Sequence, residues 1–199
     1  ASLAFNDSAA RYDAAVVTYS GMNLGTPSAD RHIIICFSAR ENEPNTITVA
    51  GVNAVKLGED SDPTWKTQIW IAAVPTGSTG DVVVSGTNSN RWQSLVLYSA
   101  TGIDPSPFSI DGAGDYTDPA FVTISAPLNG IAVAVATNNC DALPHSWGAD
   151  LTKDTEFASD NARDSTTAAS TTTDGTSITA WVSFGDGDGR LLAATFEPA

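Results

Sequence analysis

The chain is short of the residues on which most enzyme chemistry and nucleic-acid binding rest. It holds two cysteines and two histidines in 199 residues, with the two cysteines far apart and the two histidines far apart, so no Cys-x-x-Cys or His-x-x-x-His pair of a zinc site occurs. Nine Lys and Arg stand against 23 Asp and Glu, a formal charge of −14. Without a basic cluster to neutralise phosphates, no nucleic-acid partner is expected, and the acidic excess favours a soluble, outward-facing surface. Long apolar runs are missing too. The clearest, Ile33-Ile-Ile-Cys-Phe37, is strand-sized, far below the roughly 18 residues of a membrane-spanning helix, so no membrane partner is expected. No secretory signal opens the sequence. Ala1-Ser-Leu3 reads as a cytosolic terminus after loss of the initiator Met, and Cys36 and Cys140 read as small buried hydrophobes rather than a disulfide. Heptads, collagen repeats, low-complexity blocks and linkers are absent as well, which removes a fibrous shaft.

Helical periodicity is nearly absent, whereas short β-branched and aromatic runs recur between turn residues, so the expectation is an all-β antiparallel sandwich, jelly-roll-like, formed as one domain over 1–199. Candidate strands are 15–19, 31–38, 46–50, 53–57, 65–74, 81–85, 92–99, 121–125, 130–137, 167–173, 177–184 and 190–196. Two hairpins stand out: one around Gly51, between the alternating arms of 46–57, and one in which Gly185-Asp-Gly-Asp-Gly189 joins 180–184 to 191–196. Within 131–135, Ile131, Val133 and Val135 alternate with Ala132 and Ala134. One face fills a core and the other meets a close neighbour, a second layer or another subunit. The segment 101–119, dense in Gly, Pro and Asp, is expected to be a long loop. Together with the acidic stretch 150–164 it supplies the candidate contact surfaces.

The search for chemistry returns little. His32 abuts a strand and His145 lies in Pro144-His-Ser-Trp147, neither inside a motif. Gly77-Ser-Thr-Gly80 is a turn and not the Gly-x-Ser-x-Gly of a nucleophile elbow, so no enzyme and no catalytic residue are expected. No cofactor is expected either. Calcium is the metal with oxygen ligands within reach, at Asp186-Gly-Asp188 and Asp111-Gly-Ala-Gly-Asp115, but these loops lack the alternating acidic ligands and terminal Glu of a calcium loop. Of Trp65, Trp70, Trp92, Trp147 and Trp181, the third, second and last fall inside strands and read as core or interface. Trp147, in a loop beside His145, reads as a ligand contact. The candidate partner-contact residues are therefore Trp147, His145, Asp104, Asp111, Asp115 and Asp118.

The runs Val49-Ala-Gly-Val-Asn-Ala-Val55, Ile69-Trp-Ile-Ala-Ala-Val-Pro-Thr-Gly-Ser-Thr-Gly-Asp-Val-Val-Val84 and Trp92-Gln-Ser-Leu-Val-Leu-Tyr-Ser-Ala-Thr-Gly-Ile103, with Ser20-Gly-Met-Asn-Leu-Gly25 and Asp30-Arg-His-Ile-Ile-Ile35, resemble small β-sandwich virion proteins of tailed phages and prophages. The resemblance implies a jelly-roll-like sandwich and a structural role on the outer surface of a particle assembled after synthesis in the host cytoplasm. A capsid decoration, or cement, protein bound to the major capsid protein, as a homotrimer, fits a short acidic chain without a shaft. A tail-fibre or spike module that binds a receptor or carbohydrate is the alternative. The resemblance transfers no site residue.

Overall fold

The computed structural model describes residues 1–13, 16–41, 44–61, 64–86, 91–114, 118–138, 145–158, 165–184 and 189–199, and every regular element among them is a β-strand. In chain order these are β1 (Ser2–Asp13), β2 (Val16–Asn23), β3 (His32–Arg40), β4 (Thr46–Val49), β5 (Val52–Asn53), β6 (Val55–Ser61), β7 (Trp65–Ala73), β8 (Thr79–Ser85) and β9 (Arg91–Thr101). The second half continues with β10 (Ser109–Ala113), β11 (Ala120–Ile124), β12 (Leu128–Asn138), β13 (Ser146–Trp147), β14 (Thr152–Ala158), β15 (Ser165–Asp174), β16 (Ile178–Ser183) and β17 (Gly189–Phe196). They form four sheets, ordered β1-β9-β3-β7-β6 (sheet I), β2-β8-β4-β5 (sheet II), β10-β17-β12-β15-β14 (sheet III) and β11-β16-β13 (sheet IV). All pairings are antiparallel.

The pairs nest. β4 and β5 close on each other through Ala50 and Gly51, both at positive φ as a tight two-residue hairpin demands, and β3·β7, β2·β8 and β1·β9 close successively outside them. Folding such a long hairpin over on itself sends alternate pairs to opposite sheets, which is the jelly-roll arrangement. The second half repeats it. β12·β15, β11·β16 and β10·β17 nest around the Gly148–Leu151 turn, where Leu151 N donates to Gly148 O. Replacing β1, β9, β3, β7 and β6 by β10, β17, β12, β15 and β14 converts sheet I into sheet III, and β2, β8 and β4 correspond to β11, β16 and β13. Details repeat as well. A register shift falls at Lys56/Gly58 in β6 and at Lys153/Thr155 in β14, and each Lys forms an ion pair with the Glu three residues on, Glu59 at 2.9 Å and Glu156 at 3.1 Å. The chain is a tandem of two jelly rolls.

Three hydrophobic cores fix the stacking of the sheets as II–I–III–IV. The first lies between sheets II and I and takes Ile33, Ile35 and Phe37 from one face of β3. The second uses the opposite face of β3, Ile34 and Cys36, against Ile131, Val133 and Val135 of β12. The third sets Ala132, Ala134 and Ala136, the other face of β12, against Val122, Ile124, Ala180 and Val182 of sheet IV. The alternation in 131–135 is thus accounted for. Large residues fill the space between the units, and alanines admit the close outer sheet. Across the middle interface β1 lies over β14, and β10, its counterpart, lies against β6, the counterpart of β14. This is the reciprocal contact pattern of an isologous pair, made here within one chain.

Four expectations change. The segment 101–119 is not all loop, because Ser109–Ala113 forms β10, an edge strand hydrogen-bonded on one side only, where glycine and aspartate are tolerated. Within 150–164, Thr152–Ala158 is likewise the edge strand β14. β16 and β17 do not form a hairpin. They enter sheets IV and III, and residues 185–188, the expected turn, lie outside the described residues. Ser2–Asp13, unmarked by clean alternation, is the edge strand of sheet I, with a register shift between Phe5 and Asp7 that breaks the period-two signal. The hairpin around Gly51 is present as expected. Cys36 is a free, buried thiol whose pKa burial drives far up, and Cys140 lies outside the described residues.

One buried cation secures the mouth of the first core. Arg31 is 1 % exposed and spends its guanidinium on backbone carbonyls. Nε donates to Val74 O at 2.7 Å, Nη1 to Leu24 O at 3.1 Å and Gly25 O at 3.0 Å, and Nη2 to Thr76 O at 2.8 Å and Gly77 O at 2.7 Å. The planar fork ties the β2–β3 connection to the β7–β8 turn, a geometry that an ammonium cannot reproduce.

Candidate functional site

His145 and Trp147 sit at the base of the second unit, where β13 meets β14 and β15. His145 is 2 % exposed, with its ring edge-on to Phe184 at 5.5 Å between centroids. Its Nε2 lies 3.0 Å from Ser165 Oγ, which is itself bonded to Asn138 Oδ1. Its backbone N donates to Glu156 Oε2 at 3.0 Å, and Lys153 Nζ, paired with Glu156, donates to the His145 carbonyl at 3.3 Å. Burial lowers the imidazole pKa below its ordinary value. The Glu156 charge pulls the other way, and Lys153 reinforces the depression.

A hydroxyl, an imidazole and a carboxylate in this order bear the outline of a nucleophilic triad, but two observations set it aside. His145 Nδ1 stands 3.7 Å from Glu156 Oε2, beyond hydrogen-bond length, so the carboxylate does not hold the ring's tautomer, and Ser165 is wholly enclosed. The cluster is a latch that joins β13 to β14, β15 and the end of β12. Trp147 turns inward against the third core and donates its indole N–H to Thr167 Oγ1 at 2.8 Å, so it forms no exposed platform.

The acidic candidates do not converge. Asp104 Oδ1 accepts from Ser106 N at 2.8 Å, and Asp104 N donates to Glu197 O, which pins the crossing between the units. Asp118, preceding the cis-proline Pro119, accepts from Phe184 N at 2.9 Å and so ties β11 to the end of β16. Asp115 lies outside the described residues, as do Asp186 and Asp188. Among the described residues no group of three or more His, Cys, Asp or Glu is placed to hold a metal ion.

Asp111 alone lines a sizeable cleft. A recess of about 770 Å³ opens between the units, bounded by Asp60 of β6, by Asp111, Gly112 and Ala113 of β10 and Gly114 beyond it, by Phe121, Val122 and Thr123 of β11, and by Arg190 of β17. Arg190 Nη1 meets Asp60 Oδ1 at 3.4 Å, an ion pair that joins the units across its floor. The two glycines make room for that pair. A Cβ on Gly112 would fall 2.7 Å from Asp60 Cβ, and one on Gly114 would strike the Arg190 guanidinium.

Phe121 rims the cleft at 64 % exposure, and its cross-strand partner on the outer face of sheet IV is the half-buried Trp181, between inward-facing Ala180 and Val182. Trp181 lies flat over Gly148, where a Cβ would come 2.2 Å from its indole nitrogen. The outer face of sheet II differs. At the position of Phe121 it carries Val16, at 58 % exposure, beside Thr18, Thr46 and Thr48. The exposed aromatic was hidden from sequence reasoning because a strand residue with an apolar side chain reads as core. The signal that could have found it is the match of Asp118-Pro-Ala-Phe-Val-Thr-Ile-Ser125 to Asp13-Ala-Ala-Val-Val-Thr-Tyr-Ser20. In both copies Val122 or Val17 and the residue two further on face inward, leaving Phe121 and Val16 outside.

No protein-family model matches this sequence, and no curated protein matches it. Among solved structures, an anti-sigma factor domain-containing protein aligns at 9 % identity over 91 % of this chain and 74 % of its own, with a TM-score of 0.25. The Fcho1 Mu homology domain of Danio rerio, solved with a bound Eps15 peptide, aligns at 12 % identity over 96 % and 79 %, with a TM-score of 0.17. Overlaps this shallow carry no argument about fold or function.

Proposed function

We propose that the chain is a structural protein of a phage virion, a decoration protein that binds the outer capsid lattice and bridges neighbouring copies of the major capsid protein. The observation that carries this reading is the tandem itself. Two jelly rolls fused back to back make one rigid block with opposed outer faces of different chemistry, hydroxyl- and valine-bearing on sheet II and aromatic on sheet IV. A clamp needs two such surfaces held at a fixed separation, whereas an enzyme needs accessible reactive groups, and here the histidine–serine pair is enclosed. The runs resembling virion proteins supply the innermost hairpin, β7 through β8, and β9, the strands that frame the first core. A charge of −14 keeps such a block soluble before assembly. Three copies around a local three-fold axis would present three clamps to one capsid site.

Binding only the assembled shell stabilises it by linkage, about 2.7 kcal/mol per site when free protein stands at 100 times Kd. The test is sedimentation of purified protein with intact particles lacking it and with dissociated capsid subunits. The reading expects saturable co-sedimentation with particles and none with free subunits. Absence of binding to particles overturns it.

A further inference from the structure

We propose that the cleft between the two units is a binding site for a neutral glycan, with Phe121 at its rim as the stacking surface for a sugar ring. This goes beyond the lattice-binding role and does not depend on it.

Three features combine here. The first is an aromatic ring on a rigid strand. Phe121 is held by its register with Trp181, 64 % exposed, at the rim of a recess large enough for two or three sugar rings. A pyranose presents an apolar face of C–H groups that an exposed ring covers, which is the common way a protein grips a sugar without charge. The second is a set of polar groups of the right kind within the same walls. Asp111 offers a carboxylate, the Asp60–Arg190 pair lies on the floor, and Thr123, whose Oγ1 meets Thr179 Oγ1 at 3.2 Å, provides hydroxyls next to the ring. Carboxylate and guanidinium groups each span two adjacent sugar hydroxyls.

The third feature is charge. The cleft holds two carboxylates against one guanidinium, within a chain of net charge −14, so its field opposes anionic ligands. Sialylated, uronic and phosphorylated sugars are therefore disfavoured, as are nucleotides.

The other unit supplies an internal control. Val16 stands where Phe121 does and gives sheet II no aromatic ring at that position. No equivalent stacking site is therefore expected on sheet II.

The test uses the full chain on an array of neutral and sialylated oligosaccharides, followed by titration calorimetry with maltohexaose, cellohexaose and the best neutral hit. Three variants accompany it: Phe121→Ala, Asp111→Asn and, as control, Val16→Ala. Because all three positions are exposed, the variants should fold, and circular dichroism and melting confirm it. The expected result is binding to neutral glycans only, weakened at least about tenfold by Phe121→Ala, weakened by Asp111→Asn and untouched by Val16→Ala. Failure to bind any neutral glycan, preference for sialylated ones, or binding indifferent to Phe121→Ala would each overturn the proposal. None of these results bears on attachment to particles.

Discussion

Replacing Arg31 should cost more stability than replacing any single hydrophobic residue on the surface, and the size of the loss follows from where its five acceptors sit. The carbonyls of Thr76 and Gly77 lie in an exposed turn, and that of Gly25 is partly exposed, so water replaces the guanidinium there. Leu24 and Val74 are buried at 0 % and 3 % exposure, and their carbonyls lose a charged donor with no substitute. Each orphaned buried acceptor costs about 1–3 kcal/mol, and the lost packing of the side-chain stem adds to it. The guanidinium's desolvation is recovered on unfolding in the wild type, which limits the net figure, so Arg31→Ala should cost about 3–5 kcal/mol. Arg31→Lys keeps the charge but loses at least two donors and the planar fork, and should recover less than half of that. Urea unfolding followed by tryptophan fluorescence is the assay. At a slope near 2 kcal/mol/M, the midpoint should fall by about 2 M for the alanine variant. A shift below about 0.5 M at unchanged slope, or a lysine variant as stable as wild type, would refute the view that this fork closes the first core.

Three further outcomes follow from the same structure. The Gln93 side-chain amide is fully buried on the first-core side of β9, and neither its oxygen nor its nitrogen finds a hydrogen-bond partner among the described residues, so Gln93→Leu should leave stability unchanged or raise it by about 1 kcal/mol in the same urea experiment. A Cβ on Gly130, at the register shift of β12, would lie 2.3 Å from Phe196 O and 2.5 Å from Pro127 Cγ. Backbone cannot yield cheaply, so Gly130→Ala should lower stability by about 1–3 kcal/mol. The pH dependence combines two groups. Burial would raise the Glu59 pKa, but hydrogen bonds from Ser61, Lys56 and Gln68 outweigh it and hold the carboxyl at about 2. His145 is depressed by burial. In both cases the unfolded chain binds protons more readily, so each contribution is present at neutral pH and lost on acidification. The His145 part fades as pH falls below about 6.5, and the Glu59 part fades between the ordinary carboxyl range and pH 2. Melting temperature should therefore decline in two stages as pH falls, and His145→Gln should erase the upper stage only.

The architecture was legible in outline because strands with one or two buried faces carry their own signature. Ile33-Ile-Ile-Cys-Phe37 reads as a strand, and it proves to be the centre of sheet I with a core on either face. Three edge strands were illegible. β10, β14 and β1 bond on one side and tolerate Gly, Asp and Ser, and β14 and β1 also shift register, so neither alternation nor composition marks them. The duplication escaped notice because the halves bury different volumes at equivalent places: Ile33, Ile35 and Phe37 of the first core correspond to Ala132, Ala134 and Ala136 of the third. What persists is a polar skeleton, Lys-x-x-Glu in both edge strands, too short to be conspicuous in sequence. At the site, Asp111 was marked by its glycine-rich surroundings and lines the cleft. Its partners Asp60 and Arg190 come from β6 and β17, far apart in sequence, and meet only because the two units stack.

The central claim is that the tandem serves as a clamp on an outer capsid surface, and cryo-electron microscopy of particles with and without the protein, with copies counted by mass spectrometry, tests it directly. The account predicts hundreds of copies across the head, at the junctions of capsid subunits, each placing sheet II and sheet IV against different neighbours. A handful of copies at the tail tip or on spikes, or none on the particle, would contradict it.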